Sequence, residues 1–88
     1  MVNVKGKNIE KLKKGDKIKI DGTEMEIDAH YVMMEHGKTK EMAIECFDKK
    51  KDEDFQIRYF DDNVENSMDV YKLVEIVYNK IEVKKVEW

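Results

Sequence analysis

The sequence predicts a mainly β fold, a small antiparallel meander that curls into a barrel or a strongly bent sheet. In residues 24–33, apolar side chains occupy the odd positions, and acidic or polar side chains occupy the even positions up to His30. Successive side chains of a strand point to opposite faces, so this alternation predicts a strand with one apolar and one polar face. Asp21-Gly22, the strongest hairpin signal in the chain, comes just before it. Curling is expected because closure removes the open edges of a sheet built from short strands.

A short strand and one helical element are predicted before that hairpin. Residues 2–5 are expected to form the strand. Asn8 is a typical helix N-cap and Gly15 is typical of the position just after a helix, so residues 9–14 predict one or two helical turns. Only two apolar residues fall in that segment, which indicates a short surface helix or a 3₁₀ turn.

The strand that enters the Asp21-Gly22 turn, residues 17–20, alternates Lys with Ile. We expect its isoleucines to face inward and its lysines to lie opposite the acidic positions of residues 24–28. The Lys14-Gly15-Asp16 approach to this strand resembles the start of many small SH3-like barrels. That resemblance implies an SH3-like barrel as the closed form of the fold.

Two more strands are predicted in the middle of the chain. A turn at residues 36–38 precedes the first, over residues 39–48. A polar loop over residues 48–54 leads to the second, in which Phe, Ile and Tyr alternate with polar residues at 55–59. The acidic segment 61–63 ends it.

Residues 69–78 fit two structures. Their apolar side chains have helical spacing, but Val and Tyr dominate the composition, which favours a strand. Asn79-Lys80 has the composition of a two-residue turn. We therefore favour a C-terminal hairpin of residues 70–78 with residues 81–88, and a helix over residues 69–79 is the alternative.

Length and composition predict one domain over residues 1–88. The chain is 42% charged and 41% hydrophobic, which leaves enough apolar residues for one core. One cysteine, Cys46, excludes an internal disulfide and is expected to be buried. Abundant Lys and Glu are typical of thermophilic proteins, although the lack of Pro is not. No apolar run suits a membrane span or a signal peptide, so a cytoplasmic location is expected.

The chain has more apolar residues than one face of a sheet can bury in a core, which indicates a protein partner. Residues 32–34 are consecutively apolar, and the C-terminal strands are apolar on both faces up to the last residue. Either the barrel interior and the helical turn cover these side chains, or a partner or second copy does. The leading hypothesis is a non-enzymatic protein-interaction module, with a homodimer as one form. The predicted interface residues are Val32, Met34, Tyr71, Leu73, Val77 and Trp88.

Lysines concentrate in the first twenty residues and suggest a second function. This end of the chain is basic although the whole chain has a net charge of −3. Association with nucleic acid or the ribosome is the alternative hypothesis. Against this hypothesis, residues 1–20 contain no Arg and no aromatic residue, and these are the residue types that usually contact bases. Its predicted contact residues are Lys5, Lys7, Lys11, Lys13 and Lys14.

The sequence contains no motif for a metal site, a phosphate-binding loop or a catalytic nucleophile. His30 and His36 are the only histidines, are both expected to be exposed, and do not complete a zinc-ligand pattern. The oxygen-rich residues 61–69 do not match an EF-hand and are expected to form an acidic loop. There is no Gly-rich phosphate loop, and neither Ser67 nor Cys46 has a histidine nearby in sequence. We therefore expect no enzyme activity, no metal and no cofactor.

Overall fold

The computed structural model describes residues 2–88 and contains one eight-stranded sheet. The strands are β1 (Asn3–Lys5), β2 (Lys17–Ile20), β3 (Thr23–His36), β4 (Thr39–Asp48), β5 (Glu53–Phe60), β6 (Asp69–Val74), β7 (Val77–Ile81) and β8 (Lys85–Glu87). A 3₁₀ turn (Ile9–Lys11) follows β1, and a one-turn helix, α1 (Val64–Ser67), connects β5 to β6. The predicted mainly β class is confirmed.

The strands from β2 to β7 form the predicted antiparallel meander, each pairing with the next along the chain. β8 then crosses back to lie between β2 and β1, and β1 pairs with it in parallel. The sheet order is therefore β1-β8-β2-β3-β4-β5-β6-β7, with β1 and β7 at its edges. The sheet does not close, so the SH3-like barrel is wrong and the open sheet is compatible with the bent form.

One face of the sheet, called here the inner face, holds the core. Ile44 lies opposite Ile57, which lies opposite Val70, and all three are fully buried. Val86 of β8 belongs to the same cluster although its strand lies near the other end of the sheet, so the sheet curves around this core. Ile9 of the 3₁₀ turn is buried in the same cluster and closes part of the open side.

Two β-bulges in β3 change which side chains face the core. Ile27 pairs with Cys46 and Ala29 with the next residue, Glu45, so Asp28 is an extra residue. A second shift between Val32 and Met34 makes Met33 extra. Each bulge inverts the alternation that follows it. The predicted alternation therefore holds only to Ile27, and beyond it the expected faces are wrong.

The C-terminal hairpin exists, but its turn is not at Asn79-Lys80. β6 pairs with β7 through a turn at Glu75-Ile76, where Glu75 has a φ of 59°. Asn79-Lys80 lies inside β7. Residues 85–87 pair with β2 and β1 because Val86 fills the core beside Ile20. A helix over residues 69–79 is wrong.

The 3₁₀ turn predicted near the N-terminus is confirmed but is shorter than residues 9–14, and the acidic segment after β5 differs from prediction. Only Ile9–Lys11 is helical near the N-terminus, because Leu12 has an extended backbone. Asn8 has a φ of 56° and its side chain forms no cap. The acidic segment expected as a loop contains α1, whose Ser67 hydroxyl accepts a hydrogen bond from the Phe60 amide at 2.8 Å. No helix in residues 2–88 has the length and apolar character needed to cross a membrane.

Candidate protein interface

The second half of β3 has a free edge. β2 pairs only with residues 23–26 of β3, and Asp16 and Gly15 bond to Ile27 just beyond them. From residue 29 to residue 36, β3 pairs with β4 on one side. Within residues 2–88, no strand lies along its other side. The backbone groups on that side are therefore open to a partner strand.

Apolar side chains are exposed along this free edge. Tyr31, Val32, Met33 and Met34 are 38%, 44%, 38% and 55% exposed. Val32 lies on the inner face opposite Met42, and Met34 lies on the outer face opposite Glu41. Both were predicted as interface residues and both are exposed. The bulge at Met33 separates them, so a partner strand would contact apolar side chains on both faces.

The outer face next to this edge carries a polar and aromatic cluster that the sequence did not predict. We call it the tyrosine cluster. Its members come from neighbouring strands and lie on the same face of the sheet. They are Tyr31, Glu45, Gln56, Arg58, Tyr71 and Tyr78.

Hydrogen bonds fix the tyrosine cluster around Gln56. The Gln56 side-chain amide donates to the Tyr31 hydroxyl at 3.0 Å and, more weakly, to Glu45 at 3.4 Å. Tyr31 itself donates to the Glu45 carboxylate at 2.5 Å. Arg58 Nε donates to Gln56 Oε1 at 2.6 Å, and its guanidinium carbon lies 3.9 Å from the centre of the Tyr71 ring. Gln56 is only 2% exposed, and these contacts connect it to Tyr31, Glu45 and Arg58.

One compositional signal could have located this cluster. Gln56 and Arg58 are the only Gln and the only Arg of the chain, and they lie two residues apart in a strand. Residues two apart share a face, so two unique polar side chains on one face indicated a specific arrangement there. Tyr71 was predicted as an interface residue, and the structure places it within this cluster.

The other C-terminal interface residues lie away from the free edge. Leu73 is partly buried on the outer face opposite Tyr78. Val77 is 57% exposed at the turn of the β6–β7 hairpin, beside Val74 and Ile76. That turn lies at the end of the sheet where β3 starts, away from the free second half of β3, because the strands between them alternate in direction. The exposed residues therefore form two separate patches.

Trp88 is engaged within its own chain. Its indole Nε1–H donates to the Lys7 carbonyl at 3.0 Å, and its backbone amide donates to the Lys5 carbonyl at 3.0 Å. The ring lies against Gly6 and packs on the core. Trp88 therefore joins the two ends of the chain and is not part of either exposed patch.

His30 lies on the inner face and is half-buried, so its predicted exposure is wrong. The bulge at Asp28 turns it towards Tyr59. Its Nδ1 lies 2.7 Å from the Leu12 carbonyl and its Nε2 lies 2.7 Å from the Tyr59 hydroxyl. Since a carbonyl only accepts, Nδ1 carries a hydrogen and donates it to Leu12, and Nε2 shares a hydrogen bond with the Tyr59 hydroxyl. His30 therefore fastens the segment after the 3₁₀ turn to the sheet.

Among the N-terminal lysines in the part of the chain that the structure describes, Lys17 forms an ion pair, whereas the five predicted nucleic-acid contacts do not. Lys17 pairs with Glu26 across the hairpin at 3.0 Å, as predicted. The five lysines predicted to contact nucleic acid are all exposed, and within residues 2–88 none of them has an ion-pair partner. Their association with nucleic acid stays a prediction.

Comparison with known proteins adds no family to this geometry. No family model, curated protein or solved structure matches the chain. Within the part of the chain that the structure describes, no three His, Cys, Asp or Glu side chains cluster in a way that could hold a metal ion. The free edge of β3 and the tyrosine cluster beside it are the features from which a function can be argued.

Alkaline pH should destabilise the fold through two buried groups. Burial raises the pKa of Tyr59 and of Cys46, each to about 12. Their ordinary values are 10.0 and 9.0, so the folded state favours the protonated forms. Stability from these groups is complete below about pH 9 and is lost as the pH rises to about 12. We expect the free energy of unfolding to fall steadily over this range, because each pKa unit corresponds to on the order of 1.4 kcal/mol.

Urea unfolding at several pH values between 8 and about 12 measures this loss. The Cys46→Ala variant is the control, because it removes the thiol and should delay the onset of the loss to about pH 10. An unfolding midpoint that stays constant up to about pH 12 would contradict the burial of both groups.

Proposed function

We propose that this chain is a non-enzymatic protein-interaction module that binds by accepting a strand along the free edge of β3. The supporting observation is that residues 29–36 of β3 pair with β4 on one side only and carry four exposed apolar side chains. A partner strand would satisfy the open backbone groups, and its side chains would contact Val32 on one face and Met34 on the other.

The chemistry of this edge favours pairing over protection. Edge strands that avoid association usually carry Lys or Pro, and residues 29–36 contain neither. The protective features of this edge are the bulge at Met33 and the charged Glu35 on the inner face. By contrast, the short edge strand β1 carries Lys5 and the edge strand β7 carries Lys80. The free half of β3 therefore differs from the other edges of the same sheet.

The tyrosine cluster extends this surface. Tyr31 belongs both to the free edge and to the cluster, so a strand added beside β3 would lie next to the cluster. Tyr and Arg are among the residue types that contribute most to binding energy at protein interfaces. Their side chains are already ordered by Gln56 and Glu45, which lowers the entropy lost on binding.

Charged substitutions at the edge should abolish strand addition. Val32→Lys together with Met34→Lys places two ammonium groups along the edge without touching the buried core, because both side chains are exposed. Linear peptides selected from a random displayed library on the unmodified chain should bind this variant at least about tenfold more weakly. Titration of each selected peptide against the purified proteins measures the change.

Val74→Lys together with Val77→Lys is the matched control. These valines are 51% and 57% exposed at the β6–β7 turn, so the control changes the same number of exposed apolar residues. Peptide binding should survive in it. Loss of binding in the control alone would place the interface at the β6–β7 turn instead. Equal binding by both variants and the unmodified chain would reject both surfaces.

A further inference from the structure

We infer that the strand received at this edge is the same edge of a second copy of the chain, paired antiparallel around a two-fold axis. This inference rests on the proposed function and names the partner. Two identical edges can satisfy one another only if one register suits both copies at once. The bulges of β3 and the charges around them select such a register.

The register is restricted first by the requirement that paired side chains point to the same face of the sheet. Ala29, Tyr31, Met34 and His36 point to the outer face, whereas His30, Val32 and Glu35 point to the inner face. When Tyr31 lies opposite Met34 of the second copy, every outer residue faces an outer one and every inner residue faces an inner one. A shift by one residue would place inner side chains opposite outer ones, which a continuous sheet does not allow.

The side-chain chemistry supports the same register. It pairs Tyr31 with the Met34 of the second copy twice, once on each side of the axis, and places Val32 beside the second Met33. His30 lies opposite Glu35, so no carboxylate faces another. In the next register that keeps the faces, two residues along, Glu35 would lie opposite the apolar Val32. Cross-strand apolar pairs stabilise a sheet, so the first register is favoured.

Charge complementarity at the ends points to the same arrangement. In this register Asp28 lies beside the Gly37-Lys38 turn of the second copy. Asp28 and Lys38 are both exposed, and within residues 2–88 neither forms an ion pair in its own chain. The two-fold axis repeats this opposite-charge pair at both ends of the paired edge. The dimer would thus form one continuous sheet across both copies.

Cysteine cross-linking tests the register. Residues directly opposite one another in antiparallel strands lie close enough for a disulfide. A mixture of the Tyr31→Cys and Met34→Cys variants should therefore form a mixed disulfide dimer under mild oxidation. Either variant alone should cross-link at least about tenfold less, because its own cysteines would lie three residues apart along the strand. Cys46 does not compete, since it is only 1% exposed.

Because Tyr31→Cys removes the hydrogen bonds of Tyr31, a second cysteine pair tests the register with Tyr31 unchanged. Ala29→Cys mixed with His36→Cys tests the same register with substitutions outside the tyrosine cluster. Mixed dimers from both combinations support the register, whereas equal yields from single and mixed variants reject it. Sedimentation of the unmodified chain up to about 1 mM should show a dimer, because small interfaces associate weakly. Val32→Lys with Met34→Lys should raise its dissociation constant at least about tenfold.

The two proposals fail in different ways. If the unmodified chain stays monomeric throughout, while selected peptides still lose binding to the Val32→Lys and Met34→Lys variant, the partner is a different protein. The self-pairing inference is then wrong and the proposed function stands. If the chain is monomeric and peptide binding does not depend on the edge, both are wrong.

Discussion

Replacing Gly6 with Ala should unfold the link between the two ends of the chain. Gly6 has a φ of 152°, a conformation that side chains other than hydrogen rarely adopt. An added Cβ would lie 2.4 Å from Cε2 of the Trp88 ring. The ring must then leave its place on the core and give up its hydrogen bond to Lys7. We expect a loss of about 3 kcal/mol or more, from backbone strain and overpacking together.

Thermal unfolding followed by tryptophan fluorescence measures this effect. A loss of that size should lower the melting temperature by on the order of 15 °C in a domain this small. Trp88 is the only tryptophan, so a red-shifted emission of the folded state reports that its ring has become solvated.

Gly37→Ala is the matched control for Gly6→Ala. Gly37 also has a positive φ, 64°, but no heavy atom lies within 4 Å of the position of an added Cβ. Gly37→Ala should therefore lower the free energy of unfolding only through backbone strain, by about 1 kcal/mol. Equal losses in the two variants, with unchanged tryptophan emission in both, would show that the Trp88 ring does not rest on Gly6.

The parts of the fold that local sequence controls were predictable. Alternation over residues 24–27 and the Asp21-Gly22 turn specify the β2–β3 hairpin, and Lys17 pairs with Glu26 as expected. These features depend on residues that are close in sequence. The same holds for the strands over residues 39–48 and 55–59, whose pairing follows from short connections.

The bulges were not predictable, and they determine the candidate site. An extra residue at Asp28 leaves no pattern in the sequence, because the apolar alternation continues past it. The bulge forms where β3 leaves β2, after Ile27 bonds to Asp16 and Gly15. It moves Tyr31 from the predicted inner face to the outer face, and His30 in the opposite direction. A choice between pairing partners far apart in the chain therefore decided which side chains form the surface.

The position of β8 is a second long-range choice. The sequence pattern suited a hairpin of residues 70–78 with residues 81–88, but it could not show that Val86 fits better beside Ile20. Asp21 helps to fix that choice, because its carboxylate accepts hydrogen bonds from the Lys84 and Lys85 amides at 2.8 Å. One residue of the strongest predicted turn thus also holds the last strand in place.

Replacing Gln56 with Leu should destabilise the fold and disorder the tyrosine cluster. Leu has a similar volume and is readily buried, so packing changes little. It removes the acceptor of Arg58 Nε and the donor to the Tyr31 hydroxyl, which leaves a half-buried guanidinium with a missing partner. We expect a loss of about 2–3 kcal/mol in unfolding free energy, since leaving such groups unsatisfied is costly.

Urea unfolding gives the size of this loss, and Thr39→Val provides the comparison. The Thr39 hydroxyl donates to Asp62 at 2.7 Å at an exposed site, so water can replace that bond and the expected loss is below about 0.5 kcal/mol. If strand addition also uses the cluster, peptides bound at the β3 edge should bind Gln56→Leu more weakly and Thr39→Val normally. A Gln56→Leu variant as stable as the unmodified chain would show that Gln56 does not organise Tyr31 and Arg58, and the cluster would then have no role in shaping the interface.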